Sequence, residues 1–331
     1  MKIYITVPKG SIWNRYFPPE LVQRLENLGE VVQNPHDRNL TSAELADVIG
    51  DAEVVITHWG SPKVTEEVLN AAPQLRLVAH AAGSVSHIAS EAVYDKGIPV
   101  TSGNDVMAKY VAEGALCYML AALRDVPRQD ALLKQGVLWQ MDWHKIRSLF
   151  GSRIGLVGLG TVGRRLLNLL APFGCGVLVY DPYIPADALN SWPFAKKTES
   201  LEEAMSQPIV SVHAAKTPET YHIIGAKELA CMPDGGLLIN TARGALIDEE
   251  ALTKELESGR ISAVLDVFEQ EPLPIDHPFR RCGNAIIQPH LAGHGGSWEF
   301  TAGVVEDIER LARGEALQYT ISRNQYRLMT Q

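Results

Sequence analysis

The chain has 331 residues, of which 46% are hydrophobic and 21% charged, and this length accommodates two domains of about 100–200 residues each. Such a composition excludes a disulfide-stabilised mini-protein, a disordered chain, and a collagen-like or coiled-coil fibre. The 30 Lys and Arg residues against 39 Asp and Glu residues give a formal net charge of −9. Because this charge repels a phosphate backbone, we expect no nucleic-acid partner.

The first hundred residues alternate short runs rich in β-branched residues with helical patterns. Strands are predicted at 3–7, 54–57, 75–79 and 98–100, and helices over 21–28 and 64–71. This alternation is typical of βαβ units, which form a parallel sheet covered by helices. Residues 111–123, which follow, are apolar on nearly every side and predict a helix buried between domains or subunits.

A second βα series begins at Ile154. Its predicted strands are 154–157, 177–180, 209–212, 237–240, 261–265 and 285–287. Asp248 is expected to cap the helix that follows it, and Gly259 to end that helix. The last long helix is expected to end at Gly314.

The cysteines and the apolar segments indicate the compartment. Four cysteines are too far apart along the chain for a zinc cluster or a redox pair, and we expect small core residues in a reducing environment at Cys117, Cys175, Cys231 and Cys282. The longest apolar segments, such as 115–123, are shorter than the roughly 18 residues that cross a bilayer. We therefore expect a cytoplasmic protein without membrane contact.

Three glycines lie between the strand predicted at 154–157 and the helix expected after it. Gly158 permits a tight turn, Gly160 allows the backbone to approach a pyrophosphate, and Gly163 allows close packing of helix on strand. Asp181 ends the next predicted strand, where an acidic side chain meets the adenosine ribose and repels a 2′-phosphate. This context predicts a dinucleotide site that favours NAD. The alternative for Asp181 is a side chain that caps its own turn before Pro182.

Three polar residues follow later strands of the second series. Arg243 follows 237–240, Glu271 follows 261–265, and His290 follows 285–287. Ligands of open parallel sheets bind beyond the carboxyl ends of the strands, so these side chains are expected to converge. Each also has a simpler interpretation, as a surface ion pair, a solvated loop residue or a hinge histidine bonded to backbone.

Together the three side chains suit one chemistry. A guanidinium binds the carboxylate of a 2-oxo acid and polarises its carbonyl, and an imidazolium gives the carbonyl oxygen a proton. A carboxylate hydrogen-bonded to the imidazole favours the charged ring and fixes its orientation.

These segments resemble the D-isomer-specific 2-hydroxyacid dehydrogenases over about residues 54–317. The resemblance is carried by the glycine turn and by five further segments: Asp181-Pro182-Tyr183, 210–220, 240–248, 265–272 and Pro289-His290. In that family the Arg, Glu and His at these positions bind the substrate and deliver the proton. The resemblance therefore implies those catalytic roles for Arg243, Glu271 and His290.

The resemblance also implies the architecture. It implies an α/β fold of two doubly wound parallel-sheet domains, with a Rossmann cofactor domain inserted into a flavodoxin-like substrate domain. The substrate domain would comprise 1–102 plus 290–331, and the NAD-binding domain 103–289. A homodimer is expected, with Trp139 and Trp143 in the segment that forms part of a dimer arm in relatives; core packing is the alternative for both.

The remaining predicted contacts fall into two groups. The cofactor is expected to meet Gly158, Gly160, Thr161, Val162, Gly163, Asp181, His213, Thr241 and Asp266. The substrate is expected to meet Trp59, Gly60, Gly83 and Ser84 in addition to Arg243. Packing under a loop is an equal alternative for Trp59, and the segment 81–87 departs from the pattern common in the family.

No metal is expected, because the glycines around His294 disfavour an ordered helix face that could pair it with His290. The hypothesis is an NAD-dependent oxidoreductase that interconverts a small 2-oxo acid and a D-2-hydroxy acid. The alternative is a non-enzymatic, NADH-sensing interaction protein of the corepressor type, which resembles the same family.

Overall fold

A computed structural model describes residues 1–137 and 146–329 and divides the chain into two compact units. Unit 1 comprises Met1–Met107 and Gly296–Gln331, and unit 2 comprises Ala108–Gly295. Each unit contains its own parallel sheet. The chain therefore enters unit 2 inside a helix, Asn104–Leu123, whereas the sequence-based boundary at 102/103 lies two residues after the strand predicted at 98–100.

The secondary-structure elements are numbered along the chain. The strands are β1 Lys2–Ile5, β2 Glu30–Gln33, β3 Val54–Thr57, β4 Leu77–His80, β5 Val100–Ser102, β6 Arg153–Val157, β7 Gly176–Tyr180, β8 Ala195–Thr198, β9 Ile209–Val212, β10 Leu237–Asn240, β11 Ser262–Leu265 and β12 Ala285–Ile287. The α-helices are α1 Ser11–Tyr16, α2 Pro19–Glu26, α3 Ser42–Ile49, α4 Glu66–Ala71, α5 Glu91–Asp95, α6 Asn104–Leu123, α7 Val126–Lys134, α8 Thr161–Leu170, α9 Leu201–Met205, α10 Ala226–Ala230, α11 Glu249–Glu257, α12 Glu299–Arg313 and α13 Arg323–Leu328.

The five strands of unit 1 have the order β2-β1-β3-β4-β5, and every described pairing is parallel. This is the flavodoxin-like order. The central strands β3 and β4 are buried along their whole length, as expected of a sheet covered by helices on both faces. Helix α12 ends at Gly314, as predicted, with this glycine in the left-handed conformation.

The seven strands of unit 2 have the order β12-β11-β10-β9-β6-β7-β8, again all parallel. From β8 through β6 to β11 this is the Rossmann order, so the predicted fold class is confirmed. Asp248 caps α11 by accepting the N–H of Ala251 at 3.0 Å, and Gly259 lies beyond the helix end with a φ of 72°. Both signals were predicted correctly.

Two strands escaped the sequence-based assignment, β2 and β8, and both are edge strands. Strand β8 reads Ala195-Lys196-Lys197-Thr198, with only its two end residues buried, and β2 has no buried residue. An edge strand has one hydrogen-bonded neighbour and stays partly exposed, so it needs no apolar run. The pattern on which the prediction depends is therefore missing in these two strands.

Helix α6 is longer than its predicted apolar segment, because it begins at Asn104. Ala112, Ala115, Met119 and Leu123 lie on one side of the helix and pack in the core of unit 2. The estimate that every apolar segment is too short to cross a bilayer was wrong for α6. By length and composition this one helix of the described chain passes that test, as do buried helices of soluble proteins.

The four cysteines are free thiols, but only one of them is a core residue. Cys175 is buried, whereas Cys117 is exposed on α6 and the other two are partly exposed. The expectation of a core position was therefore wrong for Cys117, whereas Cys231 and Cys282 are partly buried and pack against the core of unit 2. Single small apolar residues are common on protein surfaces, and their exposure there costs little.

Two buried histidines lie at the carboxyl ends of β3 and β4. His58 follows β3 and is 0% exposed, and neither ring nitrogen has a hydrogen-bond partner within residues 1–137 and 146–329. His80 ends β4; its Nδ1 lies 3.0 Å from Thr57 Oγ1, and its Nε2 has no partner in the same part of the chain. Burial lowers the pKa of each imidazole to about 3. Both side chains are therefore neutral in the folded protein at pH 7.

These histidines predict that acid destabilises the protein. The unfolded chain takes up their protons near pH 6.5, but the folded chain only near pH 3. The free energy of unfolding should therefore fall as pH falls from about 6.5 towards 3, by up to about 1.4 kcal/mol per pH unit per histidine. Urea unfolding at several pH values measures this slope.

A His58→Phe variant should flatten that slope by the share of one histidine. A phenyl ring can replace the imidazole between Tyr16 and Trp59, whose ring centroids each lie 4.6 Å from that of His58. His36→Phe, at an exposed position of the same unit, is the matched control and should keep the wild-type slope. An unchanged slope in His58→Phe would show that the buried His58 does not cause the loss of stability in acid.

Candidate active site

The glycine turn joins β6 to α8, and two of its glycines are required by close backbone contacts. Gly158 has a φ of 93°, and a Cβ there would lie 2.5 Å from the backbone N of Ala214. A Cβ on Gly163 would lie 2.8 Å from the carbonyl oxygen of Gly158. Any larger residue at these two positions would push the turn away from β9 or the helix away from the turn.

Gly160 differs, because a Cβ there would meet nothing within 4 Å. It caps the N-terminus of α8, whose first residues Thr161 and Val162 are only partly buried. The first N–H groups of a helix lack intrahelical partners and attract anions. The open space before this ten-residue helix therefore suits a pyrophosphate, and Gly160 leaves it unobstructed.

Asp181 follows β7 and makes two backbone contacts. Its Oδ2 accepts the N–H of Leu159, in the glycine turn, at 2.7 Å, and its Oδ1 accepts the N–H of Tyr183 at 2.9 Å. The second contact is the turn cap that was the alternative interpretation. The first links the carboxylate to the phosphate-binding turn. Each oxygen keeps a lone pair that a ribose hydroxyl can meet.

His213 and Thr241 follow β9 and β10. His213 is buried, its Nε2 lies 2.8 Å from Ser211 Oγ, and burial lowers its pKa to about 4, so the ring is neutral at pH 7. Thr241 is buried too, and its Oγ1 has no hydrogen-bond partner among the described residues. This hydroxyl is therefore free to form a hydrogen bond with a ligand.

Asp266 lies directly after β11 and is 0% exposed. Its Oδ1 accepts the Tyr118 hydroxyl at 3.0 Å and the N–H of Leu291 at 2.8 Å, and its Oδ2 accepts the N–H of Ala292 at 2.9 Å. Burial, with the nearby carboxylate, raises the pKa of Tyr118. Asp266 thus anchors the backbone that follows His290, and its contact with a cofactor stays a prediction.

Arg243 lies in the turn that follows β10. The Asn240 side chain shapes this turn, since its Oδ1 accepts the N–H of Ala242 at 3.0 Å and its Nδ2 donates to the carbonyl of Arg243 at 2.8 Å. The guanidinium donates to the carbonyl of Ala242 at 2.6 Å. Burial lowers the pKa of Arg243, and Coulomb attraction to Glu271 opposes this effect. The side chain stays charged at neutral pH.

Glu271 and His290 form a hydrogen-bonded pair. His290 Nδ1 lies 2.8 Å from Glu271 Oε2, and Glu271 Oε1 accepts the N–H of Phe268 at 3.0 Å. His290 has a φ of 57°, and its own N–H donates to the carbonyl of Asp266 at 2.8 Å. The imidazole side chain is 47% exposed, so Nε2 can reach a ligand while Nδ1 faces the carboxylate.

Arg243, Glu271 and His290 thus follow the neighbouring strands β10, β11 and β12 of unit 2, and the charges of Arg243 and Glu271 interact. The three side chains have complementary chemistry: a cation, an imidazole, and a carboxylate that orients the imidazole. This arrangement can bind a carboxylate and move a proton at a neighbouring oxygen.

Apart from Arg243, the predicted substrate-binding residues belong to unit 1 and follow β3 and β4. Trp59 is 39% exposed, and its ring packs edge-on against His58 and Tyr16, so it has both an exposed edge and a packing role. Gly60 has a φ of 78°. The carbonyl of Gly83 accepts the Ser102 hydroxyl at 2.5 Å.

Ser84 Oγ donates to Ser86 Oγ at 3.0 Å, within the segment 81–87 that departs from the family's pattern. Trp139 and Trp143 lie outside the described residues. Among residues 1–137 and 146–329, no group of three or more His, Cys, Asp or Glu side chains could hold a metal ion.

Sequence reasoning missed Tyr118 and the paired residues His222 and Glu269. His222 and Glu269 are 47 residues apart in the chain and are hydrogen-bonded to each other. Tyr118 stands within an apolar helix, and its pairing with Asp266 spans 148 residues. Such long-range pairs leave no local periodicity, so no sequence pattern could have indicated them.

A comparison with protein-family models decides the family. The model described as "D-isomer specific 2-hydroxyacid dehydrogenase, NAD binding domain" matches residues 116–292, which is more than half of the chain. The chain belongs to this family. Unit 2 therefore contains the NAD-binding domain of this family. The glycine turn, the open N-terminus of α8 and the unpaired Thr241 hydroxyl fit that cofactor.

Relatives of known name agree with this family. A D-3-phosphoglycerate dehydrogenase of Methanocaldococcus jannaschii is 35% identical over 92% of this chain, which spans only 57% of that relative. A glyoxylate reductase of Korarchaeum cryptofilum is 33% identical over 81% of this chain and 82% of its own length. The crystal structure of a phosphoglycerate oxidoreductase from Rhizobium etli matches with a TM-score of 0.81 and 27% identity, covering 98% of this chain and 99% of that one.

Proposed function

We propose that the protein is an NAD-dependent oxidoreductase that interconverts a small 2-oxo acid and the corresponding D-2-hydroxy acid. The observation that carries the proposal is the 2.8 Å contact between His290 Nδ1 and Glu271 Oε2, in the same unit as Arg243 and the glycine turn. A histidine oriented by a carboxylate that also attracts a partly buried guanidinium can transfer a proton at a carbonyl oxygen.

His290 moves the proton. In reduction its Nε2 donates a proton to the substrate carbonyl oxygen, and in oxidation the same nitrogen accepts the hydroxyl proton. Glu271 accepts a hydrogen bond from the Nδ1–H group of His290, which fixes the ring orientation and favours the charged form of the ring. Asp266, which accepts two backbone N–H groups of the segment after His290, holds that segment in place.

Arg243 binds the substrate carboxylate. A guanidinium presents two parallel N–H groups to a carboxylate, and its charge polarises the adjacent carbonyl. Its partial burial strengthens this attraction, because fewer water molecules screen the charge.

The bound cofactor supplies or accepts the hydride. The residues of this chain that would hold it are the glycine turn with the first N–H groups of α8, Asp181 at the ribose, and Thr241 through its unpaired hydroxyl. His213 is neutral and buried beside the turn, since its backbone N–H donates to the carbonyl of Val157 at 2.7 Å.

The decisive experiment is an assay with NADH and a panel of 2-oxo acids: glyoxylate, hydroxypyruvate, its 3-phosphate, pyruvate, and a branched and an aromatic 2-oxo acid. We expect oxidation of NADH with at least one of them. In the reverse direction, we expect reduction of NAD with the D isomer and not with the L isomer of the 2-hydroxy acid.

Binding of NADH without turnover of any substrate would overturn the proposal and favour the NADH-sensing corepressor type. The names of the relatives reported above do not support that alternative, since each is the name of an enzyme.

We further propose a homodimer. Two large apolar side chains seven residues apart on α7 are strongly exposed, Val126 at 52% and Leu133 at 55%. Positions seven apart lie on one face of a helix, and apolar side chains exposed on one face favour an interface. We expect sedimentation equilibrium at assay concentrations to give the mass of a dimer, and the mass of a monomer would contradict the proposal.

A further inference from the structure

A second set of histidine–carboxylate contacts lies in unit 2 and takes no part in the reaction proposed above. His222 Nε2 is hydrogen-bonded to the Glu269 carboxylate. Glu249 Oε1 accepts the backbone N–H of Glu269 at 2.9 Å, and Glu249 Oε2 lies 3.2 Å from His277 Nε2. We call His222, Glu249, Glu269 and His277 the clamp.

The clamp contacts the segment that leaves Arg243. The backbone N–H of His222 donates to the carbonyl of Ala245 at 2.9 Å. At Gly244 an added Cβ would lie 1.9 Å from the carbonyl carbon of Phe268 and 2.2 Å from the backbone N of Glu269. The backbone after Arg243 therefore packs directly on the backbone of 268–269.

The clamp also contacts the segment that leads to Glu271. Glu269, held from one side by His222 and from the other by Glu249, stands two residues before Glu271. The neighbouring N–H of Phe268 donates to Glu271 Oε1. Any shift of 268–269 therefore moves the Glu271 carboxylate relative to His290.

His222 joins both segments, one through its backbone and one through its ring. Its φ of 50° places it in the left-handed region, which is uncommon for a residue other than glycine. Such a conformation persists where the surrounding structure requires it, and it is concentrated at functional sites.

We propose that His222 is a positioning residue, which fixes the position of the Arg243 turn relative to the Glu271 loop. Its backbone N–H binds the carbonyl of Ala245, and its imidazole binds the carboxylate of Glu269. The proposal rests on the function proposed above for Arg243, Glu271 and His290. Small displacements of groups at a reacting centre lower the rate by large factors, so we expect kcat to depend on the relative position of these two segments.

Two variants separate the imidazole contact from the bulk of the ring. His222→Phe keeps a ring that stacks on Tyr221, whose centroid lies 4.0 Å away, but it lacks the N–H that meets Glu269. His222→Gln keeps an N–H at about the place of Nε2. We expect kcat to fall roughly 10- to 100-fold in His222→Phe and to stay within about threefold of wild type in His222→Gln.

The pH dependence of kcat/KM distinguishes a positioning role of His222 from a purely structural role. The charged groups that the structure places around His290 are Glu271, Arg243 through its attraction to Glu271, and Asp266. If Glu271 moves away in His222→Phe, His290 loses the partner of its charged form, and the basic limb of kcat/KM for reduction moves to lower pH. A purely structural role would lower Tm and leave that limb in place.

Histidine titration by NMR tests the same point without turnover, with His290→Asn to assign the signal. We expect His290 to titrate at lower pH in His222→Phe than in wild type, and at the wild-type pH in His222→Gln. An identical His290 titration in wild type and His222→Phe would overturn the inference, as would a His222→Gln variant as impaired as His222→Phe. Absence of turnover in wild type would overturn the proposed function alone, because the titration still decides the role of His222.

Discussion

A His290→Asn variant is expected to lose roughly 10²- to 10⁴-fold in kcat for reduction of the preferred 2-oxo acid. Asparagine fills a similar volume and keeps a donor for Glu271, which lies 2.8 Å from His290 Nδ1, but it cannot carry a proton to the substrate. Steady-state assays with NADH measure the loss. The affinity for NADH, followed by quenching of tryptophan fluorescence, should stay close to that of wild type.

His36→Asn is the matched control, because it makes the same exchange at an exposed position of unit 1. It should leave kcat unchanged. If His290→Asn kept more than about a third of the wild-type kcat, another group would be the proton donor, and the proposed mechanism would be wrong.

Replacement of Arg243 should also have a large effect, and it should change both KM and kcat. In Arg243→Ala the substrate carboxylate loses its charged partner and the carbonyl loses its polarising group, so KM should rise and kcat should fall by about 10²- to 10³-fold. Arg243→Lys keeps the charge but lacks the planar fork, and it should recover only part of the activity. Assays over a range of substrate concentrations separate the two constants.

Arg281→Ala removes an exposed guanidinium from the same unit and serves as the control. It should behave as wild type. A KM within about twofold of wild type in Arg243→Ala would show that another group binds the carboxylate.

The predicted site residues differ in how far local sequence could define them. Gly158 and Gly163 were predicted from their spacing between a predicted strand and a predicted helix, and the structure gives each a backbone neighbour closer than 3 Å to an added Cβ. Arg243, Glu271 and His290 were predicted because each follows a strand with a clear apolar run. A parallel sheet places the residues that follow its strands at one edge, so positions far apart in the sequence can be predicted to lie near one another.

Other features depended on distant parts of the chain. The carboxylate of Asp266 is engaged by Tyr118 and by the backbone after His290, and the sequence offered no sign of either contact. Likewise the clamp around Glu269 joins residues from the connections that follow β9, β10 and β11. Hydrogen bonds between residues far apart in the chain have no periodic pattern and form only when the sheet has brought the loops together.

By itself the sequence determined the two parallel sheets, the phosphate-binding turn and the polar residues that end the strands, because burial and backbone conformation restrict the residue types at each of these positions. Only the tertiary structure decided that β2 and β8 complete the sheets, that Glu271 meets His290, and that His222 joins the two segments beside Arg243 and Glu271. Edge pairing and side-chain contacts depend on distances across the fold, and residue spacing along the chain does not encode those distances.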